Sequence, residues 1–296
     1  MPLTCPCCPN EMTVERETAE LTVVLCNSCR HRCALHKSQS PPLADYHSQY
    51  NQGGFLTSLE RTRRRQARRI LEAAKTHGLA IDKWLDFGAG RGWFLDEARK
   101  TGGPFLAGAD TSDLSVQTLK TMGVGAAKVH ANNNGASIDV GALAFDPVTI
   151  GFLDVIEHFP PEQIEHEVRS LLSRLPSVRH LVIKVPISDG ILFRMAGLFA
   201  RVGWKGPFHQ LFQVGTHPPH YHYFSKRSLS LFLKKIGVEP RCIIDDPDID
   251  DVLGRVSAGG KFPSGASRLL TWIFTLLGMA TSYDSRVVMG DYSKTS

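Results

Sequence analysis

The sequence predicts an α/β chain: a doubly wound, mainly parallel sheet preceded by a small cysteine-rich ribbon. Three observations carry this. Six of the seven cysteines lie in the first forty residues. From Lys83 onward, short apolar runs alternate with stretches of helical period. The first of those runs ends in an acid and a three-glycine turn, Asp86-Phe-Gly88-Ala-Gly90-Arg-Gly92.

The ribbon is read from spacing. Cys5-x2-Cys8 and Cys26-x2-Cys29 bring two thiolates each onto one ion, and four sulfurs close a tetrahedron, the structural form of a zinc site. Disulfides are the competing reading. They fit poorly with a chain opening Met1-Pro-Leu-Thr-Cys5, which lacks a basic-then-apolar leader and is expected in the reducing cytoplasm. Cys7, His31, Cys33 and His36 are substitutes for one ligand or solvent-facing knuckle residues, and Cys242 is expected in the core of a late strand. The ribbon domain is placed at 1–40.

A polar linker at 38–42, Asp45-Tyr-His-Ser-Gln-Tyr50 and a helix over about 57–77 make up a second region, 41–78. Arg61, Arg63, Arg64, Arg65, Arg68 and Arg69 give that helix a basic run. It suits phosphates of RNA, a nucleotide sugar or a lipid head group, or a solvated face above Leu59, Ile70 and Leu71. The solvated face is preferred because no aromatic side chains interleave the arginines. A formal charge of +5 tolerates an anionic partner without demanding nucleic acid. At 296 residues and 42% hydrophobic content, the chain has room for one catalytic domain and a small module.

Strands are expected near 84–87, 105–109, 127–129, 148–152 and 180–185, a helix at 162–175, and two more strands at 241–244 and 286–289. Gly88 and Gly90 let the backbone pass close to a ligand at a helix N-terminus. A dinucleotide fingerprint would need glycine where Trp93 stands. Asp110 ends the second strand about 20 residues after the turn, where such folds grip ribose hydroxyls.

The D-x-G-x-G-x-G turn, the acid at Asp110 and Asp154-Val-Ile-Glu157-His158 after the fourth strand together resemble class I S-adenosylmethionine (SAM) methyltransferases. The resemblance covers about Asp82 onward and implies a doubly wound, seven-stranded Rossmann-like methyltransferase sheet whose last strand inserts antiparallel. That domain is placed at 79–296. The resemblance also implies that SAM is held by Asp86, Gly88, Ala89, Gly90, Asp110, Thr111 and Asp154.

The acceptor is read from the segment around 187–225, where His217-Pro-Pro-His220-Tyr-His222-Tyr-Phe-Ser225 resembles the family's H-x-x-x-F-S/T lid. A hydroxyl acceptor must lose its proton, and histidine suits that task near neutral pH. His158, His220 and His222 are candidates; the other reading is that they cap a helix or pack the lid. Asp154, Glu157 and His158 also resemble the E-x-x-E-H motif of ubiquinone-pathway and small-RNA methyltransferases, which implies a magnesium or manganese ion. Glu157 and His158 are accordingly counted, with His222, as catalytic candidates.

The expected activity is SAM-dependent O-methylation of a small or lipid-linked acceptor such as a sugar or phenol. The alternatives are an RNA methyltransferase gripping RNA through ribbon and arginine helix, and a non-catalytic SAM-binding scaffold. The apolar run at 269–277 is too short for a bilayer, which needs about 20 apolar residues.

Overall fold

The computed structural model describes residues 3–37, 55–132, 135–215, 218–246 and 284–294. The linker at 38–42, Tyr46, Tyr50, His217 and the apolar run at 269–277 lie outside the described residues.

The N-terminal unit is antiparallel. Strand β1 (Thr13–Glu17) pairs with β2 (Leu21–Leu25), and β2 with β3 (Arg32–His36). A fourth strand arrives from the far end of the chain: β10 (His222–Tyr223) pairs antiparallel with β3, so the ribbon shares its sheet with the lid.

Helix α1 (Phe55–Thr76) follows. It buries Leu59, Thr62, Gln66, Ala67, Ile70, Leu71 and Ala74, a stripe at helical spacing. Arg61, Arg65, Arg68 and Arg69 are exposed, as a solvated face requires, while Arg63 and Arg64 are half-buried. Arg64 reaches Glu60 at 2.7 Å, Asp96 at 2.5 Å and Glu97 at 3.0 Å, and Arg68 meets Glu97 at 3.2 Å. The pairs to Asp96 and Glu97 bind α1 to the next helix, α2 (Trp93–Lys100).

The main sheet begins at β4 (Lys83–Phe87) and continues with β5 (Phe105–Asp110), β6 (Gly125–Asn132), β8 (Thr149–Leu153) and β9 (His180–Pro186). These five pair in parallel in the spatial order β9-β8-β4-β5-β6. Apart from the charged Asp86 and Lys184 and the partly exposed β6, their central residues are buried and apolar, as expected of strands covered on both faces. Crossovers include α3 (Asp113–Thr121) and α4 (Ile164–Ser173).

Strand β12 (Ser285–Tyr292) inserts antiparallel between β9 and β11 (Val238–Asp246), so all seven expected strands are present. An eighth, β7 (Gly135–Ile138), folds back antiparallel on β6. Cys242 lies in β11 and is half-buried rather than in the core.

The segment at 187–225 carries α5 (Ile191–Arg201), α6 (Gly206–Leu211) and β10, and α7 (Lys226–Lys235) follows it. Phe193, Phe208, Phe212 and Tyr223 from this region pack with Leu21, Val23 and Ala34 of the ribbon as one apolar cluster. Burying several large aromatics there stabilises the docking by about 1.5–3 kcal/mol per side chain. Among the described residues no helix is long and apolar enough to cross a membrane.

Candidate active site at the carboxyl ends of the parallel strands

The turn after β4 is built for close approach. Gly88 has φ +78°, and a Cβ there would come within 2.5 Å of Val155 Cγ2; Gly90, at φ +53°, has open space above it. Gly88 and Ala89 both donate backbone N–H groups to Ala109 O, at 2.7 and 3.1 Å, which clamps the turn to the end of β5. Asp110 completes the clamp: Gly90 N–H donates to Oδ2 and Ser112 N–H to Oδ1, each at 2.8 Å. Both oxygens keep a second lone pair for a ligand hydroxyl. Asp86 is buried beneath the turn; burial, and then the charge of Asp110, push its carboxyl up to about 8. The glycine cradle, the ribose-type acid and the buried acid are residues that could hold a SAM-type cofactor; Ala89 lies in the turn and Thr111 directly follows Asp110.

Asp154 follows β8 with φ +58°. Its carboxylate takes Lys184 Nζ at 2.7 and 2.8 Å, and Arg63 of α1 pairs with the same group. Burial would raise this carboxyl, but the Arg63 and Lys184 charges overcome it and hold it at about 2. Because its pKa is depressed, its contribution is present above the unfolded carboxylate value near 4 and is lost as pH falls toward 2. Lys184→Met is expected to lower stability by about 3 kcal/mol, the low end for a broken buried pair, since Arg63 remains. Its acid unfolding should also begin at higher pH, and Asp154→Asn added to it should recover much of the loss in urea titrations.

One 3-10 turn further on, Ile156–His158 carries Glu157 and His158. With His220 from the lid they form a cluster whose donor atoms all lie within 4.8 Å of one another. The histidine rings are 4.7 Å apart. His158 Nδ1 meets Pro219 O at 2.8 Å, so Nδ1 carries the proton and Nε2 the lone pair. Glu157 is fully buried, and neither carboxylate oxygen has a hydrogen-bond partner beyond its own main-chain amide. Burial, then the nearby Asp154 charge, raise its pKa well above the carboxylate range. A buried carboxyl without partners is costly unless something binds it.

The sequence grouping Asp154, Glu157, His158 is therefore rearranged: Asp154 faces Lys184 and Arg63, and His220 stands as the third member. His222 lies elsewhere. It is fully buried, its Nε2 meets Phe159 O at 2.9 Å, and burial lowers its pKa to about 3. The motif residue Ser225 caps α7 in a capping box with Ser228 and donates to Cys29 O at 2.6 Å, which ties lid to ribbon. Sequence reasoning missed Lys184 and Arg63; neither sits in a motif, although the lone lysine in the apolar run of β9 was a signal.

In the ribbon, Cys5, Cys8, Cys26 and Cys29 gather with all four sulfurs within 4.8 Å. Cys5 and Cys29 are 3.5 Å apart and Cys8 and Cys26 3.4 Å, near the roughly 3.8 Å that tetrahedral bonds of about 2.3 Å imply. Contacts with Cys29 and then Cys7 hold the Cys5 thiol down at about 5. The donor set fits a zinc-sized ion.

A parallel sheet with a glycine cradle and two acids at its switch point defines a nucleotide-cofactor α/β protein. The family described as "Methyltransferase domain" matches residues 59–243. More than half of the chain lies in that match; the chain belongs to the SAM-dependent methyltransferases of class I. Solved structures similar to it include a SAM-dependent methyltransferase from Archaeoglobus fulgidus, with 14% identity over 83% of this chain and 100% of that one, at TM-score 0.47. Another is magnesium protoporphyrin IX methyltransferase from Synechocystis with bound S-adenosylhomocysteine (SAH), with 13% identity over 84% and 93%, at 0.49. A third is the methyltransferase domain of bacterial CtHen1-C, with 11% identity over 79% and 100%, at 0.46. No curated protein matches the chain.

Proposed function

We propose that this methyltransferase acts on a hydroxyl oxygen of a small or lipid-linked acceptor, deprotonated at the Glu157, His158, His220 cluster. The observation that carries this is the buried carboxyl of Glu157, with no hydrogen-bond partner beyond its own main-chain amide, beside two imidazoles. The acceptor oxygen attacks the methyl carbon, the carbon–sulfur bond breaks with its electron pair staying on sulfur, and the hydroxyl proton passes to His158 Nε2. The chain's larger contribution is orientation, since the turn and Asp110 fix the donor while the lid fixes the acceptor. A divalent cation held by the cluster would occupy His158 Nε2 as a ligand, so in that form the ion would lower the hydroxyl's pKa in place of His158 acting as base. Its single carboxylate and two imidazoles suit manganese better than magnesium, which prefers an all-oxygen shell.

The structural placement of His222 supports a role in holding the lid rather than in proton transfer. The division into a ribbon at 1–40, a connector at 41–78 and a catalytic domain from 79, the zinc in the ribbon and a cytoplasmic setting belong to the same reading. RNA is less favoured than a small acceptor because Arg63, Arg64 and Arg68 are engaged by carboxylates of the chain itself.

The test is SAH formation by metal-analysed protein with sugar, phenol, lipid-linked and RNA acceptors, with and without chelator and added manganese. His158→Asn should lower kcat by about 10²–10⁴-fold, the usual share of a general base, with SAH affinity unchanged. Turnover equal to wild type in both His158→Asn and Glu157→Gln would overturn the assignment.

A further inference from the structure

A second constellation lies outside the acceptor cluster and outside the four ribbon sulfurs. His31 stands just before β3, Cys33 lies within it, and His222 is Cys33's partner across the β3–β10 pairing. All three are fully buried. His31 Nε2 lies 3.0 Å from His222 Nδ1, and Cys33 Sγ lies 3.6 Å from that same nitrogen. The three donor atoms fall within 4.8 Å of one another.

Those separations come close to those of a shared ion: the 3.6 Å between Cys33 and His222 matches, and the 3.0 Å between the two nitrogens is a few tenths of an ångström shorter. Bonds of about 2.0 Å to nitrogen and about 2.3 Å to sulfur, at tetrahedral angles, put neighbouring donors roughly 3.3–3.6 Å apart. The outward nitrogens are also arranged as in metal sites: His222 Nε2 meets Phe159 O at 2.9 Å, and His31 Nδ1 faces Ser228 Oγ at 3.4 Å. Such partners orient a ligating imidazole and fix its tautomer.

We propose that His31, Cys33 and His222 form a second metal centre for a zinc-class ion, assembled only when the lid strand docks on the ribbon. Binding converts the Cys33 thiol to a thiolate and releases its proton to solvent. Three protein donors suit a trigonal ion, or a tetrahedral one with a single small non-protein ligand. The proposal does not depend on the acceptor chemistry. It assigns His222 a ligand role, and it makes the ion a clasp between chain segments 189 residues apart.

Elemental analysis of the full-length protein reconstituted with zinc should show a second equivalent that Cys33→Ser removes while the ribbon equivalent stays. A stoichiometry unchanged by Cys33→Ser in folded protein would overturn the proposal in favour of a plain hydrogen-bond network. Should Cys33→Ser fail to fold, cadmium-113 NMR of the wild type decides. Two thiolate-shifted resonances are expected, one tetrathiolate and one mixed sulfur and nitrogen. A single tetrathiolate resonance would overturn it, and since the acceptor cluster holds no sulfur, metal there cannot imitate the second signal.

Discussion

Cys26→Ser is expected to release the ribbon ion and to collapse acceptor turnover while leaving SAH affinity within a few-fold of wild type. A structural zinc contributes on the order of 10 kcal/mol of folding free energy, comparable to the whole stability of a typical domain. The ribbon cannot absorb that loss, since its three strands are five residues each. The damage should spread toward the acceptor side. Cys5, Cys26, Cys29 and Cys33 share an apolar cluster with Phe224 and with Leu229 and Phe232 of α7, and Ser225 donates to Cys29 O. That cluster also takes in Leu85 and Phe87 of β4 and Ala107 and Ala109 of β5, but the hydrogen bonds that hold the glycine turn, from Gly88 and Ala89 to Ala109 O and from Gly90 to Asp110, involve no ribbon residue. Calorimetric titration with SAH, limited proteolysis and metal content together check this; a variant that keeps its metal and its turnover would refute a tetrathiolate site.

Asp110→Ala is expected to weaken SAH binding by roughly 10²–10⁴-fold. Two hydrogen bonds from ribose hydroxyls to a carboxylate are worth about 1.5–3 kcal/mol each, or about 3–6 kcal/mol together. The variant also frees the N–H groups of Gly90 and Ser112, so part of the loss reflects a slackened turn. Asp110→Asn separates the two effects because it keeps one acceptor oxygen. A second signature follows from Asp86, whose carboxyl sits at about 8 partly because Asp110 is charged. Its raised pKa means that its contribution to stability is full below about 4 and is lost as pH rises through about 8. Removing the Asp110 charge should lower that pKa and flatten the decline of stability between those limits, measurable by urea unfolding across the pH range. Unchanged SAH affinity in Asp110→Ala would place the ribose elsewhere.

The sheet was legible because its signals are local. Each of the seven expected strands is a short apolar run whose buried residues come from its own sequence, and β12's antiparallel insertion followed from the family resemblance. Strand β7 was not legible: in Gly-Ala-Ser-Ile only Ile138 is of the β-branched or aromatic type that marks strands. The site divided along the same line. Gly88, Gly90 and Asp110 fall where spacing puts them, whereas Asp154 was grouped with Glu157 and His158 by spacing alone. Its positive φ turns it instead toward Lys184 and Arg63, the latter 91 residues away in sequence. His220 enters the cluster, and His222 leaves it, through pairings no local pattern encodes.

The pairing of β3 with β10 bears on how the chain is made. A ribosome releases β3 long before it reaches residue 223, and until then β3 is an open strand edge with Leu21, Val23 and Ala34 uncovered. Domains generally fold in the order they emerge, but this N-terminal unit must wait for its last strand and its apolar cover. Contacts of such long sequence separation form slowly. The nascent ribbon is thus the segment most exposed to mispairing with neighbouring chains during synthesis, and a fragment ending at residue 40 would keep that exposure permanently.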